Sequence, residues 1–174
     1  ENADDYIASL YTQISGAVAS SGSPKTDLGT AGNAYLYLVE CAEVLSEANV
    51  PKVGRFAVVP PWFISCLLMD ARFVTPYTQQ GERRLANGLS GPNGYAGRIA
   101  GFDVYESNNV SNDGTTWRII AGHPMGWTFV DQIMQVEAYR PQLRFADAVK
   151  GLYLYGAKVT RPNALCVLYA NEPS

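Results

Sequence analysis

An apolar run that stops at two prolines constrains the fold of this chain most. Residues 54–59 form an apolar run, interrupted only by Arg55 and ending in two β-branched valines, which predicts a buried strand. Pro60 and Pro61 follow at once, and Pro61 suits the first turn of a helix because its missing N–H is not needed there. A helix is therefore predicted over residues 61–70. A buried strand that leads directly into a helix indicates a fold that mixes both element types.

Two amphipathic helices are predicted before this strand. The first covers residues 4–18, where apolar side chains recur at helical spacing, and Gly22-Ser23-Pro24 ends the pattern. The second begins at Asn33, whose side chain can accept a hydrogen bond from free backbone amides. It ends at Asn49-Val50-Pro51.

Strands and one further helix are predicted in the second half of the chain. Residues 99–106 alternate as a strand does, Asn112-Asp113-Gly114 supplies left-handed turn residues, and residues 116–121 return, which together predict a hairpin. A helix is predicted to open at Pro124 and close near Arg140. Two last strands are predicted at 152–159 and 164–170.

The composition excludes several classes of protein. Apolar residues make up 47% and aromatic residues 11% of the 174 residues, so most of the chain is expected to fold. The 13 basic and 16 acidic side chains contain no basic run, and only weak contact with nucleic acid is expected. No apolar stretch approaches the ~20 residues of a membrane span, and residues 1–5 are acidic where a signal peptide would be basic. We therefore expect no membrane partner and synthesis in the cytosol.

The three cysteines are widely separated in the sequence. Cys41, Cys66 and Cys166 all stand in apolar surroundings, and their number is odd. This pattern favours buried free thiols over disulfides or a metal site, and it is typical of a protein in a reducing compartment.

A search for catalytic chemistry gives no convergent set of residues. His123 is the only histidine, so a catalytic triad or metal site could use it once at most, and a local hydrogen-bonding role at a helix start is the simpler interpretation. Asp103 and Glu106 fall on opposite faces of a strand and cannot form a carboxylate pair. We predict no catalytic, cofactor-binding or metal-binding residue and no enzyme. Five aromatic residues could stack on bases or sugars, but their apolar periodic settings favour core and interface packing: Trp62, Trp117, Trp127, Tyr153 and Tyr155.

The segment 75–98 is too long and too rich in Gly, Asn and Gln for an ordinary connection. Its glycines, Gly88, Gly91, Gly94 and Gly97, follow polar loop residues and lack the Gly-Lys-Ser/Thr ending of a phosphate loop. Arg83 and Arg84 beside Glu82 are typical of a solvated face. We interpret the segment as a mobile loop.

Five blocks of the sequence, in this order and spacing, resemble the tailed-bacteriophage major capsid proteins. The resemblance covers about residues 33–170. The blocks are Gly54-Arg55-Phe56-Ala57-Val58-Val59-Pro60-Pro61 with the following helix, Gly97-Arg98-Ile99-Ala100-Gly101-Phe102-Asp103-Val104-Tyr105-Glu106-Ser107-Asn108, Ile120-Ala121-Gly122-His123-Pro124, Arg144-Phe145-Ala146-Asp147-Ala148-Val149-Lys150-Gly151-Leu152, and Tyr155-Gly156-Ala157-Lys158-Val159-Thr160-Arg161-Pro162-Asn163-Ala164-Leu165.

The resemblance implies the α+β tailed-phage major capsid fold, in which an axial domain with a central sheet flanked by helices joins an elongated peripheral domain. It implies that residues 33–140 form the axial domain, that 1–32 are a flank helix and linker of the peripheral domain, and that 141–174 return to that domain. The long loop would then lie near the capsomer axis. The family's N-terminal arm, extended hairpin loop and spine helix would precede Glu1, so we expect this chain to be a fragment that stays monomeric or weakly associated.

The function that the resemblance implies is that of a structural subunit of an icosahedral shell enclosing a phage genome. Its partners would be copies of itself, with a scaffolding protein and only weak or indirect contact with packaged DNA. Its location would be the virion, after synthesis in the bacterial cytoplasm. Two alternatives remain open: a shell subunit of an encapsulin-like compartment and, from another class, a small hydrolase or binding module using His123.

Overall fold

A computed structural model describes residues 2–29, 33–69, 95–140 and 148–173. Within these ranges the α-helices are α1 (Asn2–Ser9), α2 (Asn33–Glu47) and α3 (Pro61–Leu68), and short 3-10 helices lie at Leu10–Gln13, Pro124–Gly126 and Pro162–Ala164. The strands are β1 (Gly16–Val18), β2 (Phe56–Val59), β3 (Tyr95–Ile99), β4 (Phe102–Glu106), β5 (Thr116–Gly122), β6 (Trp127–Tyr139), β7 (Ala148–Val159) and β8 (Leu165–Asn171).

Six of the strands form one mixed sheet in the order β1-β8-β5-β2-β4-β3. The pairs β1–β8 and β2–β4 are parallel, and the other pairs are antiparallel. The parallel strands β2 and β4 cannot be joined by a tight turn, so the chain must cross over between them, and α3 begins that crossover.

The main core lies between the sheet and the helices α2 and α3. Strand alternation turns Ala57 and Val59 of β2 toward the helices, and both are fully buried. They pack with a set of equally buried side chains: Leu38, Cys41, Leu45, Phe63, Leu67, Phe102, Val104, Ile119, Cys166 and Leu168.

A smaller core covers the opposite face of the sheet. Leu10, which follows α1, packs there with Leu165 and Val159. Phe56 and Trp127 stack beside them, with ring centroids 5.4 Å apart. The sheet is therefore apolar on both faces, although α1 covers the second face with only two turns of helix.

The strands β6 and β7 form a separate antiparallel ribbon, which we call the ribbon. Its register runs from the pair Trp127–Val159 to the pair Tyr139–Ala148, with one irregularity between Ile133 and Gln135. Twelve paired positions at ~3.4 Å per residue give a length of about 40 Å.

Three elements agree with the sequence predictions. Helix α2 begins at Asn33, β2 ends at Val59, and α3 starts at Pro61. At the start of α2 the side-chain amide of Asn33 donates to Asp27, to the carboxylate and to the backbone carbonyl, at 2.9 Å each, and its role as an acceptor for backbone amides stays a prediction. Residues 75–94 of the predicted loop lie outside the described residues, and so do Gly88, Gly91, Gly94, Arg83 and Arg84. Residues 95–98 belong to β3, so the predicted loop was wrong at its end.

The prediction of one helix over residues 4–18 was wrong in its second half. Helix α1 ends at Ser9, the 3-10 helix follows, and Gly16–Val18 is strand β1. Gly16 packs against β8 so closely that an added Cβ would lie 2.6 Å from the carbonyl oxygen of Leu165. Pairing with β8 therefore overrides the helical periodicity at this end.

The predicted hairpin was also wrong. Residues 99–106 contain a turn at Ala100 and Gly101, both with positive φ, so that β3 and β4 form the hairpin instead. The turn at residues 112–114 does form, with Gly114 at φ 93°. Strand β5 nevertheless pairs with β2 and β8, and β2 lies between β5 and β4.

The predicted helix from Pro124 to Arg140 is the largest error. Only the 3-10 turn Pro124–Gly126 is helical, and Trp127–Tyr139 is strand β6. The β-branched and aromatic residues at 127–130 favour a strand, and the long pairing with β7 decides the outcome. Within the described ranges, no helix is long and apolar enough to cross a membrane.

Candidate functional site

The inner face of the ribbon, defined by Tyr155, Ala157 and Val159, contacts the body of the protein. The Tyr6 hydroxyl on α1 donates to the carbonyl of Ala157 at 3.2 Å, and its ring meets that of Tyr155 edge-on at 5.9 Å. Val159 is buried against Leu10. These contacts hold the base of the ribbon on α1 and on the second face of the sheet.

The outer face of the ribbon carries three exposed aliphatic side chains. By strand alternation Leu152, Leu154 and Gly156 of β7 lie on this face. Val130 of β6 lies on it too, because it pairs with Gly156. The exposed fractions of Val130, Leu152 and Leu154 are 64%, 55% and 57%. Gly156 leaves open space beside Val130, since no atom lies within 4 Å of a Cβ placed there. Exposed apolar side chains in one row are typical of a contact surface.

Each face of the ribbon also carries a polar pair. Lys150 and Glu137, paired across the strands, form an ion pair at 3.1 Å. On the inner face the Tyr153 hydroxyl donates to Asp131 at 3.2 Å. Desolvation and this hydrogen bond raise the pKa of Tyr153, so the phenol stays protonated and keeps donating. The ribbon thus combines an apolar outer row with polar pairs that hold each other in place.

The outer backbone edges of the ribbon are a further place where a partner could bind. An isolated two-stranded ribbon is marginally stable in water, and the outer edge of each strand carries backbone groups that can pair with a further strand. At the base of β7 two of these groups are already bound, since the carbonyl of Ala157 accepts from Tyr6 and the N–H of Val159 donates to Gln13. The free edges of the six-stranded sheet differ, because β1 has only three residues and β3 carries a bulge between Tyr95 and Gly97. Short or bulged edge strands resist further pairing. The ribbon is therefore the best candidate contact surface in the described part of the chain.

His123 lies at the start of a 3-10 helix, as the sequence predicted. Its Nδ1 accepts a hydrogen bond from the amide of Met125 at 3.2 Å. The ring edge also lies beside Gly54, where an added Cβ would be 3.6 Å from Nε2. Among the described residues no group of three His, Cys, Asp or Glu side chains could hold a metal.

The variant His123→Ala is expected to lower the free energy of unfolding by about 0.5–2 kcal/mol, because the amide of Met125 loses its acceptor. Urea unfolding measures this change, and the variant should assemble in the full-length chain as the parent does. Loss of assembly in a variant of unchanged stability would contradict a purely capping role.

The remaining sequence candidates pack as structural residues. Trp62 and Trp117 meet edge-to-face at 6.2 Å against the main core, which confirms their packing role. Asp103 and Glu106 lie opposite Phe56 and Val59 of β2, whose side chains enter different cores, and so face apart as predicted.

The three cysteines are buried free thiols, as predicted. Contact with Cys166, followed by burial, raises the pKa of Cys41, and burial raises the pKa of Cys66. High thiol pKa values keep both groups protonated and unreactive.

Sequence reasoning missed the ribbon. Its second strand was predicted in part, over residues 152–159, but its first strand was interpreted as a helix. The alternation of Trp127, Phe129 and Asp131 on one face with Thr128 and Val130 on the other is the signal that could have found it.

One comparison with known proteins identifies the family of this chain. The model of a family described as phage capsid protein matches residues 2–168. A comparison with curated proteins gives no significant match.

Three solved structures share the fold. A chain described as Mycobacterium phage Che8 is 28% identical, with a TM-score of 0.76 over 96% of this chain and 57% of that one. The capsid of cyanophage P-SCSP1u is 16% identical, with a TM-score of 0.65 over 99% of this chain and 62% of that one. A virus-like particle from Pyrococcus furiosus is 14% identical, with a TM-score of 0.54 over 96% and 61%. This chain thus spans about three fifths of the length of each of these chains. Because the family model matches nearly all its residues, it belongs to the phage capsid protein family.

Proposed function

We propose that this chain is part of a structural subunit that assembles with copies of itself into the icosahedral shell of a phage. The observation that carries the proposal is the exposed ribbon, whose apolar outer row the described residues leave uncovered. The family match and the likeness to the Che8 chain support it. They also indicate a structural, non-enzymatic role.

The ribbon explains how such a subunit could bind its neighbours. A specific contact buries on the order of 1,600 Å² in total, and a surface about 40 Å long can supply much of that area. The small apolar row would form the centre of the contact, and the pair Lys150–Glu137, next to Leu152 on the same face, would lie at its rim.

The division into axial and peripheral domains stays a proposal. The ranges 1–32 and 141–174 contribute β1 and β8 to the same sheet that β2–β5 of the range 33–140 build. The ribbon is the part that pairs apart from this sheet. We therefore propose that the six-stranded sheet forms the axial body and that the ribbon belongs to the peripheral domain.

The remaining partners follow from the same proposal. The net charge of −3 favours a scaffolding protein over packaged DNA as a direct partner. The location would be the virion, after synthesis in the host cytoplasm. The likeness to the Pyrococcus furiosus particle rests on 14% identity and supports the fold, not the contents of a compartment.

The test places charge on the outer row of the full-length polypeptide. The double variant Leu152→Asp/Leu154→Asp is expected to abolish shell formation while the subunit stays folded, because burying two carboxylates in an apolar contact is strongly unfavourable. Sedimentation and negative-stain microscopy count the shells, and circular dichroism checks the fold.

The matched control is Val53→Asp, at a turn where the side chain is 78% exposed and outside the ribbon. It should form shells at the parent yield. Normal shell yield from the ribbon variant would overturn the role of the outer row, and absence of shells from the unmodified full-length chain under all conditions would overturn the proposed function.

A further inference from the structure

A cleft lies between α1 and the second face of the sheet. Its volume is about 200 Å³, and its lining is mostly apolar, with Ile7 and Ala8 on the helix side and Val58, Ile120 and Trp127 on the sheet side. For comparison, an engineered apolar cavity of ~150 Å³ binds benzene. The cleft therefore has room for one molecule the size of a six-membered ring.

A buried donor without a partner belongs to the same site. Arg118 lines the cleft, its side chain is only 11% exposed, and its Nε–H has no hydrogen-bond partner within the described residues. The rest of the guanidinium is held in place, since Nη2 pairs with Asp113 at 2.9 Å and Cζ lies 4.7 Å above the ring of Tyr11. Leaving a charged group's N–H buried and unpaired is unfavourable, so an acceptor oxygen at this place would be stabilising.

The charges around the cleft select against ions. The carboxylate of Asp113 already balances Arg118, and backbone N–H groups of Thr116 and Thr115 lower the pKa of Asp113, which keeps it ionised. Asp4, a second carboxylate, lines the cleft and accepts from the amide of Asn109 at 3.3 Å. An anion would meet the carboxylate of Asp4 and a guanidinium whose charge Asp113 already balances, and a cation would meet that guanidinium in an apolar setting.

We propose that this cleft is a binding site for a small uncharged amphiphile that has a ring-sized apolar body and one acceptor oxygen, such as a ketone, amide or ester. The oxygen accepts from the Nε–H of Arg118, and the apolar body replaces the open space between α1 and the sheet. A bound molecule would contact α1 on one side and β2 and β5 on the other, and would thereby stabilise the packing of α1 on the sheet. The cleft touches the ribbon only at Trp127, the first residue of β6, and the proposal does not rest on the proposed shell function.

The test compares three probes with the same ring. Cyclohexanone, cyclohexanecarboxylate and cyclohexylammonium are titrated into the protein, and NMR follows the amide signals of Val58, Arg118 and Ile120. Cyclohexanone is expected to bind with a dissociation constant of about 1 mM, in keeping with its seven heavy atoms. Each charged probe is expected to bind at least ~10-fold more weakly. No shift with cyclohexanone, or tighter binding of the carboxylate, would overturn the proposal.

Two variants examine the two halves of the site. Ala8→Leu fills the cleft from the helix side and is expected to abolish binding, whereas Ala17→Leu, exposed on β1, should leave it unchanged. Arg118→Met removes the donor and is expected to weaken cyclohexanone about 10-fold. Unchanged affinity in a folded Ala8→Leu variant would show that the ketone binds elsewhere and would overturn the assignment, even if Arg118→Met failed to fold.

Discussion

Replacing Arg55 with methionine is expected to lower the free energy of unfolding by about 3–4 kcal/mol. Arg55 is only 4% exposed. Its Nε donates to the carbonyl of Pro51 at 2.9 Å, and its Nη2 donates to that of Val50 at 2.7 Å. Its Nη1 reaches the carbonyl of Ala42 inside α2 at 3.1 Å. Methionine fills similar space but cannot donate to these carbonyls, of which, among the described residues, only that of Ala42 keeps another side-chain donor, the hydroxyl of Ser46.

The position of Arg55 also suits its charge. The carbonyls it binds lie in the last turns of α2 and just beyond, where the helix dipole favours a cation. Burial lowers the pKa of Arg55, but an arginine remains charged at neutral pH. Arg55 directly precedes β2, and its guanidinium binds carbonyls at the C-terminal end of α2. This single side chain therefore connects two elements of the main core.

Urea unfolding measures the effect, with two controls. Arg55→Lys keeps the charge but can reach fewer carbonyls, so its loss should fall between those of the parent and the methionine variant. Arg161→Met removes an exposed arginine and should change the free energy of unfolding by no more than ~0.5 kcal/mol. A loss under ~1 kcal/mol for Arg55→Met would show that water satisfies the carbonyls of α2.

Gly122→Ala is expected to destabilise the protein by about 3 kcal/mol. An added Cβ would lie 2.6 Å from the carbonyl oxygen of Ala164 and 2.9 Å from the Cα of Leu165. Both are backbone atoms, so a rotamer change cannot relieve the clash. The strands β5 and β8 would have to separate where Phe56, Gly122 and Leu165 lie in one row across the sheet.

The control is Gly156→Ala in β7, where an added Cβ meets nothing within 4 Å. It should change stability by less than ~1 kcal/mol, and a gain is expected, because alanine restricts the unfolded chain. Thermal unfolding should therefore separate the variants, with a fall of roughly 6–12 °C for Gly122→Ala and little change for Gly156→Ala. Equal melting temperatures would mean that β8 can move away from β5 without penalty.

The candidate surface could be predicted from the sequence only in part. The family resemblance gave the expectation of a self-associating subunit, and the C-terminal strand of the ribbon was predicted over residues 152–159. The position of Leu152 and Leu154 on an uncovered face required the register with β6. No local pattern contains that register, since the two strands pair over sequence separations of up to 32 residues, from Trp127 to Val159.

The sequence by itself determined the elements whose signals are local. Helix α2, strand β2 and helix α3 follow from helical periodicity, a β-branched apolar run and a proline pair, each acting within a few residues. The tertiary structure alone decided the partners. It placed β2 between β4 and β5, converted Gly16–Val18 into an edge strand against β8, and made Trp127–Tyr139 a strand. Intrinsic propensities differ by less than ~1 kcal/mol per residue, whereas a long strand pairing adds backbone hydrogen bonds and cross-strand contacts over its whole length. Pairing therefore prevails wherever local preference is weak.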